Sequence, residues 1–176
     1  MLNTPGLKAG EEIDLERFSL FPIRVACWNR LVFACLDPGA PDLLDWLGDI
    51  VQIAARFPSN NTMDYQGEIL KTGALNWKAY ADNSCEGYHV GMVHRNLGES
   101  MGREKVDIQA YPKGEFVGFD VSYNPRRGDQ TRAGRGFWIY KFPGLLLHFS
   151  EYSCNVESVI TSAWCTGIWA NRWGAR

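Results

Sequence analysis

The chain of 176 residues has no run approaching the roughly 18 apolar residues of a membrane-spanning helix. It also has no block of like charge: 18 Lys and Arg stand against 20 Asp and Glu, a formal net charge of −2. The basic stripe that marks a nucleic-acid partner is missing, so neither a membrane nor a nucleic acid is expected as partner. Cysteines number five (Cys27, Cys35, Cys85, Cys154 and Cys165). Their odd count and wide scatter exclude a disulfide framework and point to a reducing compartment. Residues Met1 to Glu12 are polar, contain Gly and Pro, and lack the apolar core of a signal peptide. These absences predict a cytoplasmic protein. Histidine is scarce as well, with three in the chain.

Large aromatics are abundant, with seven Trp, seven Tyr and nine Phe. They suit a β-rich core or the walls of an apolar pocket. Apolar residues make up 45% and charged residues 22%, a globular composition. Ile23–Trp28 and Leu31–Leu36 are two apolar runs separated by Asn29-Arg30, which predicts a tight hairpin. Asp37 to Pro41 ends the second run. Asp42 then caps a helix over Leu43–Ala55, with apolar positions at helical spacing and Gly48 as the point where it splits. A strand is expected from Met63 to Lys71 with a turn at Thr72-Gly73, and a helix from Trp77 to His89. Residues 92–105 read as irregular. Strands follow at Val106–Tyr111, Glu115–Tyr123, Gly136–Lys141, Leu145–Tyr152 and Val156–Ala163, separated by turn signals that include a loop from Pro125 to Arg135. The sum is α+β, an antiparallel sheet with a few helices packed on it.

Two of the three histidines, His89 and His94, are five positions apart in Asp82-Asn83-Ser84-Cys85-Glu86-Gly87-Tyr88-His89-Val90-Gly91-Met92-Val93-His94. Imidazole is the commonest protein ligand for iron, zinc and copper. Positions five apart on a regular helix point about 140° away from each other. Both rings therefore reach one metal only where the helix ends or loosens between them, and Gly91 permits that. Glu86, three residues before His89, shares its helical face and is placed to accept a hydrogen bond from a ligating ring or to reach a neighbouring subunit. An HxxxxH pair alone is more often two ordinary histidines than a metal site; the flanking residues change the balance.

Asn76-Trp77-Lys78, Asp82-Asn83, Glu86, Tyr88-His89 and His94 together resemble the mononuclear-iron motif of the Rieske non-heme iron oxygenase α subunits, the aromatic-ring-hydroxylating dioxygenases and their relatives. The wording from Asn76 to Val90 is most similar to the choline/carnitine monooxygenase-like branch. Phe21 to Asp49 resembles the family's exit from its Rieske domain, and Phe137-Trp138-Ile139-Tyr140 through Leu145-Leu146-Leu147-His148 resembles a strand pair of its catalytic domain. The resemblance implies a helix-grip (START/Bet v1-like) antiparallel sheet with helices, incomplete and preceded by the last strands of a Rieske domain. Its division would be residues 1–49, a remnant of the Rieske domain with its linker, and 50–176, a truncated catalytic domain.

The resemblance further implies Fe(II) held by His89 and His94, Glu86 as the bridge that carries electrons from the Rieske centre of an adjacent subunit, and Asn83 as a site residue without a firm role. It implies O2 and a small-molecule substrate, an NAD(P)H-dependent reductase and a homotrimer. Two departures follow. A Rieske [2Fe–2S] cluster needs two Cys and two His as CxH and CxxH, and no Cys here has a His two or three residues after it. The family's carboxylate iron ligand comes far downstream of the second His, whereas residues 164–176 do not resemble the family and look out of register. Glu151 and Glu157, on expected strands, are weak substitutes. His148 reads as a polar pocket or core residue with a partner, ahead of a third ligand. The functional expectation is a fragment of an oxygenase α subunit for O2-dependent hydroxylation or N-dealkylation of an aromatic or quaternary-amine substrate. The alternatives are an inactive truncated remnant and a ligand-binding helix-grip module without iron.

Overall fold

The computed structural model describes residues 14, 17, 19–58, 62–101, 107–123, 134–161 and 166–174. The leading segment Met1–Glu12, Val106, most of the loop expected over Pro125 to Arg135, and Cys165 lie outside the described residues. The chain forms two compact units, Met1–Ala40 and Pro41–Arg176.

The first unit is the expected hairpin, β1 (Arg24–Trp28) against β2 (Leu31–Cys35), in register from Arg24 opposite Cys35 to Trp28 opposite Leu31. Asn29 and Arg30 both take positive φ, 51° and 66°, as a two-residue turn matched to strand twist requires. Asp37 closes the next turn by accepting from the Gly39 amide at 2.8 Å. The Arg24 guanidinium donates to the Ala40 carbonyl. Apolar side chains remain exposed here, Val25, Val32 and Leu36 among them.

The second unit is built on a seven-stranded antiparallel sheet in the order β3-β9-β8-β7-β6-β5-β4. Its strands are β3 (Asp64–Gly73), β4 (Gln109–Tyr111), β5 (Phe116–Tyr123), β6 (Gly134–Lys141), β7 (Leu145–Ser150), β8 (Ser153–Thr161) and β9 (Thr166–Gly174). The helices are α1 (Leu43–Leu47), α2 (Ile50–Ala54), α3 (Trp77–Ser84), α4 (Val90–Val93) and α5 (Arg95–Met101). The α+β expectation is met.

Side chains alternate across a strand, so the register sorts them onto two faces. One face carries Phe137 and Ile139 of β6, Leu147 and Phe149 of β7, and Cys154 and Val156 of β8, all buried. It is covered by α1, α2 and the turn after them: Trp46 lies 4.3 Å from the Lys141 ammonium, Arg56 sits over the Phe137 ring, and Phe57 stacks on Phe149 at 6.2 Å. The other face carries Tyr140, Leu146, Val117 and Val159, against which α3 packs through Trp77, Tyr80, Ala81 and Cys85.

Several local expectations are corrected. The helix over 43–55 does split at Gly48, whose φ of 57° ends α1. Gly48 is also needed for space, because a Cβ there would lie 2.7 Å from Gly114 Cα. Residues 92–105 are not irregular throughout, since α5 occupies Arg95–Met101. Strand β7 stops at Ser150, whose hydroxyl accepts from the amides of Tyr152 and Ser153 and forms the turn. Glu151 therefore sits in a turn and not on a strand. No element was expected beyond Ala163, and there β9 forms a strand inserted between β3 and β8, paired along its length with both. Strand β3 extends through the expected turn to Gly73 because β9 pairs with it there.

Candidate metal centre

Asn76 stands at the N-cap of α3 in extended conformation, and its side chain accepts from the Lys78 amide at 3.0 Å. This is the structural use of the Asn-Trp-Lys start. Trp77 is then aimed at the sheet and meets Phe142, with ring centres 6.0 Å apart. One turn on, the Tyr80 hydroxyl donates to the Glu157 carboxylate of β8, and burial together with that carboxylate pushes the phenol well above its ordinary range. Glu157, a weak candidate ligand, is thereby engaged by α3.

The expected helix to His89 ends early, at Ser84, with the Cys85 amide shared between the carbonyls of Ala81 and Asp82. Glu86 starts the next turn: its carboxylate accepts from the Tyr88 amide at 2.9 Å and from the His89 amide at 3.4 Å. The same carboxylate pairs with Nδ1 of the His89 ring. His89 and His94 flank the single turn of α4 as its two caps. The loosening expected at Gly91 occurs instead at His94, which leaves helical geometry with φ −103° and ψ 63°. Gly98 of α5 lets α4 pack close, because a Cβ there would lie 3.0 Å from Gly91 Cα.

The two rings are brought together, centres 5.2 Å apart and planes at 73°. The His89 side chain is 14% exposed and Glu86 25%, whereas His94 is exposed. Asn83 lies on the last turn of α3 and is exposed. Tyr88 is exposed, its ring perpendicular to His89 at 6.3 Å. Among the described residues no group of three or more His, Cys, Asp or Glu side chains is placed to hold a metal.

His148 does not join this pair. Its Nε2 lies 2.8 Å from the Tyr123 hydroxyl and its Nδ1 3.1 Å from the Asn155 amide nitrogen, and its ring stacks on Trp138 at 4.3 Å. Trp138 Nε1 donates to the same Tyr123 oxygen at 3.1 Å. Burial and then the nearby Arg172 cation push the imidazole down to about 4, and burial pushes Tyr123 up to about 12. The bland expectation for His148, a polar residue with partners, holds. The residues around it were not anticipated; the signal available was their alternate spacing on expected strands.

A family model for the ring hydroxylating alpha subunit (catalytic domain) matches residues 55–149, more than half of the chain. The chain belongs to this family. The chain is 35% identical over 91 residues to the anthranilate 1,2-dioxygenase large subunit of Acinetobacter baylyi, covering 49% of this chain and 19% of that protein. It is 21% identical over 141 residues to the chloroplastic choline monooxygenase of Spinacia oleracea, covering 77% of this chain and 32% of that protein. A solved quaternary ammonium Rieske monooxygenase shares the fold with a TM-score of 0.80 at 16% identity, over 94% of this chain and 46% of that one. The chain thus spans less than half the length of these relatives. Among the described residues no helix is long and apolar enough to cross a membrane.

Proposed function

We propose that this chain carries the mononuclear Fe(II) site of an oxygenase α subunit, with His89 and His94 as its two histidine ligands. The observation that carries the reading is the facing pair of rings with Glu86 on Nδ1 of His89. An imidazole nitrogen binds a divalent metal at roughly 2.1 Å, so two rings at about 90–110° around one ion have centres about 4.6–5.3 Å apart. The observed 5.2 Å fits that arrangement. Glu86 holds Nδ1 of His89 and leaves Nε2 for a metal, the outer-shell carboxylate that fixes tautomer and ring orientation. Iron bound there would supply dioxygen activation, the chemistry of a two-His-one-carboxylate site with open positions.

The chain's own residues do the positioning. Asn76 starts α3, Tyr80 anchors it to β8, and Glu86 both initiates α4 and aligns the ring. In this reading Glu86 is also the bridge through which electrons arrive from a [2Fe–2S] cluster of an adjacent subunit, fed by an NAD(P)H-dependent reductase. The assembly would be a homotrimer in the cytoplasm, with Asn83 a site residue without a firm role. Thiols at Cys27, Cys35 and Cys85 that are not in disulfides support a reducing compartment. The reaction would be O2-dependent hydroxylation or N-dealkylation. An aromatic or quaternary-amine substrate is supported by the names of the dioxygenase and choline monooxygenase relatives. The domain division proposed with it is a Rieske-domain remnant over 1–49 and the catalytic part over 50–176.

A second reading, a helix-grip binding module or inactive remnant, is favoured by the missing third ligand among the described residues. Anaerobic Fe(II) titration separates the two. One iron per chain, lost in the His89→Ala, His94→Ala double variant, supports the oxygenase site. No binding by folded protein removes it.

A further inference from the structure

The register aligns one cross-strand row on the face packed by α3: Phe119, Trp138, His148, Asn155 and Arg172, from β5, β6, β7, β8 and β9. Tyr123 enters this row diagonally. It crosses over Gly136, where a Cβ would lie 2.9 Å from Tyr123 Cε2 and 3.1 Å from His148 Nε2. The absence of a side chain at Gly136 is what lets the hydroxyl reach both Trp138 and His148.

The hydrogen-bond inventory of this cluster leaves one donor over. A neutral imidazole has one N–H and one acceptor nitrogen. The Asn155 amide nitrogen donates to Nδ1, so Nε2 carries the proton and donates to the Tyr123 oxygen. Trp138 Nε1, a donor only, gives its proton to the same oxygen. The Tyr123 oxygen accepts twice, and its own O–H has no acceptor among the described residues. The Arg172 guanidinium, on the same face and close enough to disfavour charge on His148, has no carboxylate within ion-pair distance among the described residues. Glu157, the acidic side chain of that face on β8, is already engaged by Tyr80. A half-buried hydroxyl donor and an exposed cation on one face, neither engaged among the described residues, suit an anionic oxygen ligand.

We infer that Tyr123 and Arg172 form a subsite for the carboxylate group of a substrate, with His148, Trp138 and Asn155 orienting the Tyr123 hydroxyl and Gly136 giving it room. This deepens the oxygenase reading and rests on it for the word substrate; the binding itself needs no iron.

The test uses the full chain stripped of metal, with benzoate and isovalerate as aromatic and aliphatic carboxylate probes and benzamide as the neutral counterpart of benzoate. Affinity is read by calorimetry, and the site by shifts of the His148 ring nitrogens in NMR. A carboxylate should bind at least tenfold tighter than benzamide and move the His148 signals; which of the two acids binds tells aromatic from aliphatic substrates. Tyr123→Phe and Arg172→Gln should each weaken binding about tenfold. Arg56→Gln, which removes a cation from the opposite face, should leave it unchanged, as should the His89→Ala, His94→Ala double variant. Equal affinity for benzoate and benzamide, no binding of either acid, or indifference to Arg172→Gln would overturn the subsite. Carboxylate binding without iron binding would sink the oxygenase reading alone, and iron binding without carboxylate binding would sink this subsite alone.

Discussion

The two faces of the seven-stranded sheet come from the same strands by simple alternation, yet they are built for different purposes. Toward α1 and α2, Phe137, Leu147 and Phe149 are each 1% exposed. The polar exception there is Lys141, 2% exposed, whose ammonium is satisfied by the Gly114 carbonyl and the Trp46 ring. Toward α3 buried apolar residues, Phe119, Tyr140 and Leu146 among them, share the face with half-buried polar groups: Tyr80 with Glu157, and His148 with Tyr123 and Asn155. One face supplies cohesion by apolar burial. The other spends burial on oriented polar groups, and beside it α3 leads into the His89–His94 pair.

The largest expected effect breaks the cohesive face. Phe149→Ala should destabilise the protein by about 3–5 kcal/mol, by lost transfer energy and a cavity against Phe57. Urea unfolding measures it, and a cost below about 1 kcal/mol would show that this face is not the core. Next is a pH effect on the polar face. His148 is held down at about 4 when folded, below its unfolded value of about 6.5. Its contribution is therefore present above the unfolded value and is lost as pH falls from about 6.5 toward 4. That loss should reach about 2–3 kcal/mol. His148→Asn should flatten this part of the stability profile, and an unchanged profile would contradict the assignment. The smallest effect sharpens the comparison at its edge: Asn76→Ala removes the α3 cap at about 1 kcal/mol. It should lower thermal stability by a few degrees while leaving the Phe149 side of the sheet unchanged in hydrogen exchange.

Much of this arrangement was legible in the residues. Asn29-Arg30 announced its turn, Gly48 its helix break, and the run from Asn76 to His94 both the family and the pair of rings. What escaped reading has physical reasons. Strand β9 owes its place to pairing with β8, whose partners are 5 to 21 positions away, and with β3, whose partners are 93 to 110 away, and such tertiary pairing outweighs local pattern. The early end of α3 was hidden because Glu86 satisfies the amides of Tyr88 and His89 by side chain, which helical periodicity does not register. The cluster around His148 depends on register across β5 to β8 and on the empty space at Gly136; no local motif announces either.

The most direct test of the central claim asks where a metal sits. Co(II), added anaerobically as an optical and paramagnetic stand-in for Fe(II), should saturate at one ion per chain. It should give hyperfine-shifted signals from two imidazoles, assigned to His89 and His94 by their loss in the single Ala variants, while the His148 ring stays unshifted by direct ligation. One of the two shifted rings should retain a slowly exchanging Nδ1 proton, the one that Glu86 holds. Direct ligation shifts at His148, or no saturable site in folded protein, would contradict the account.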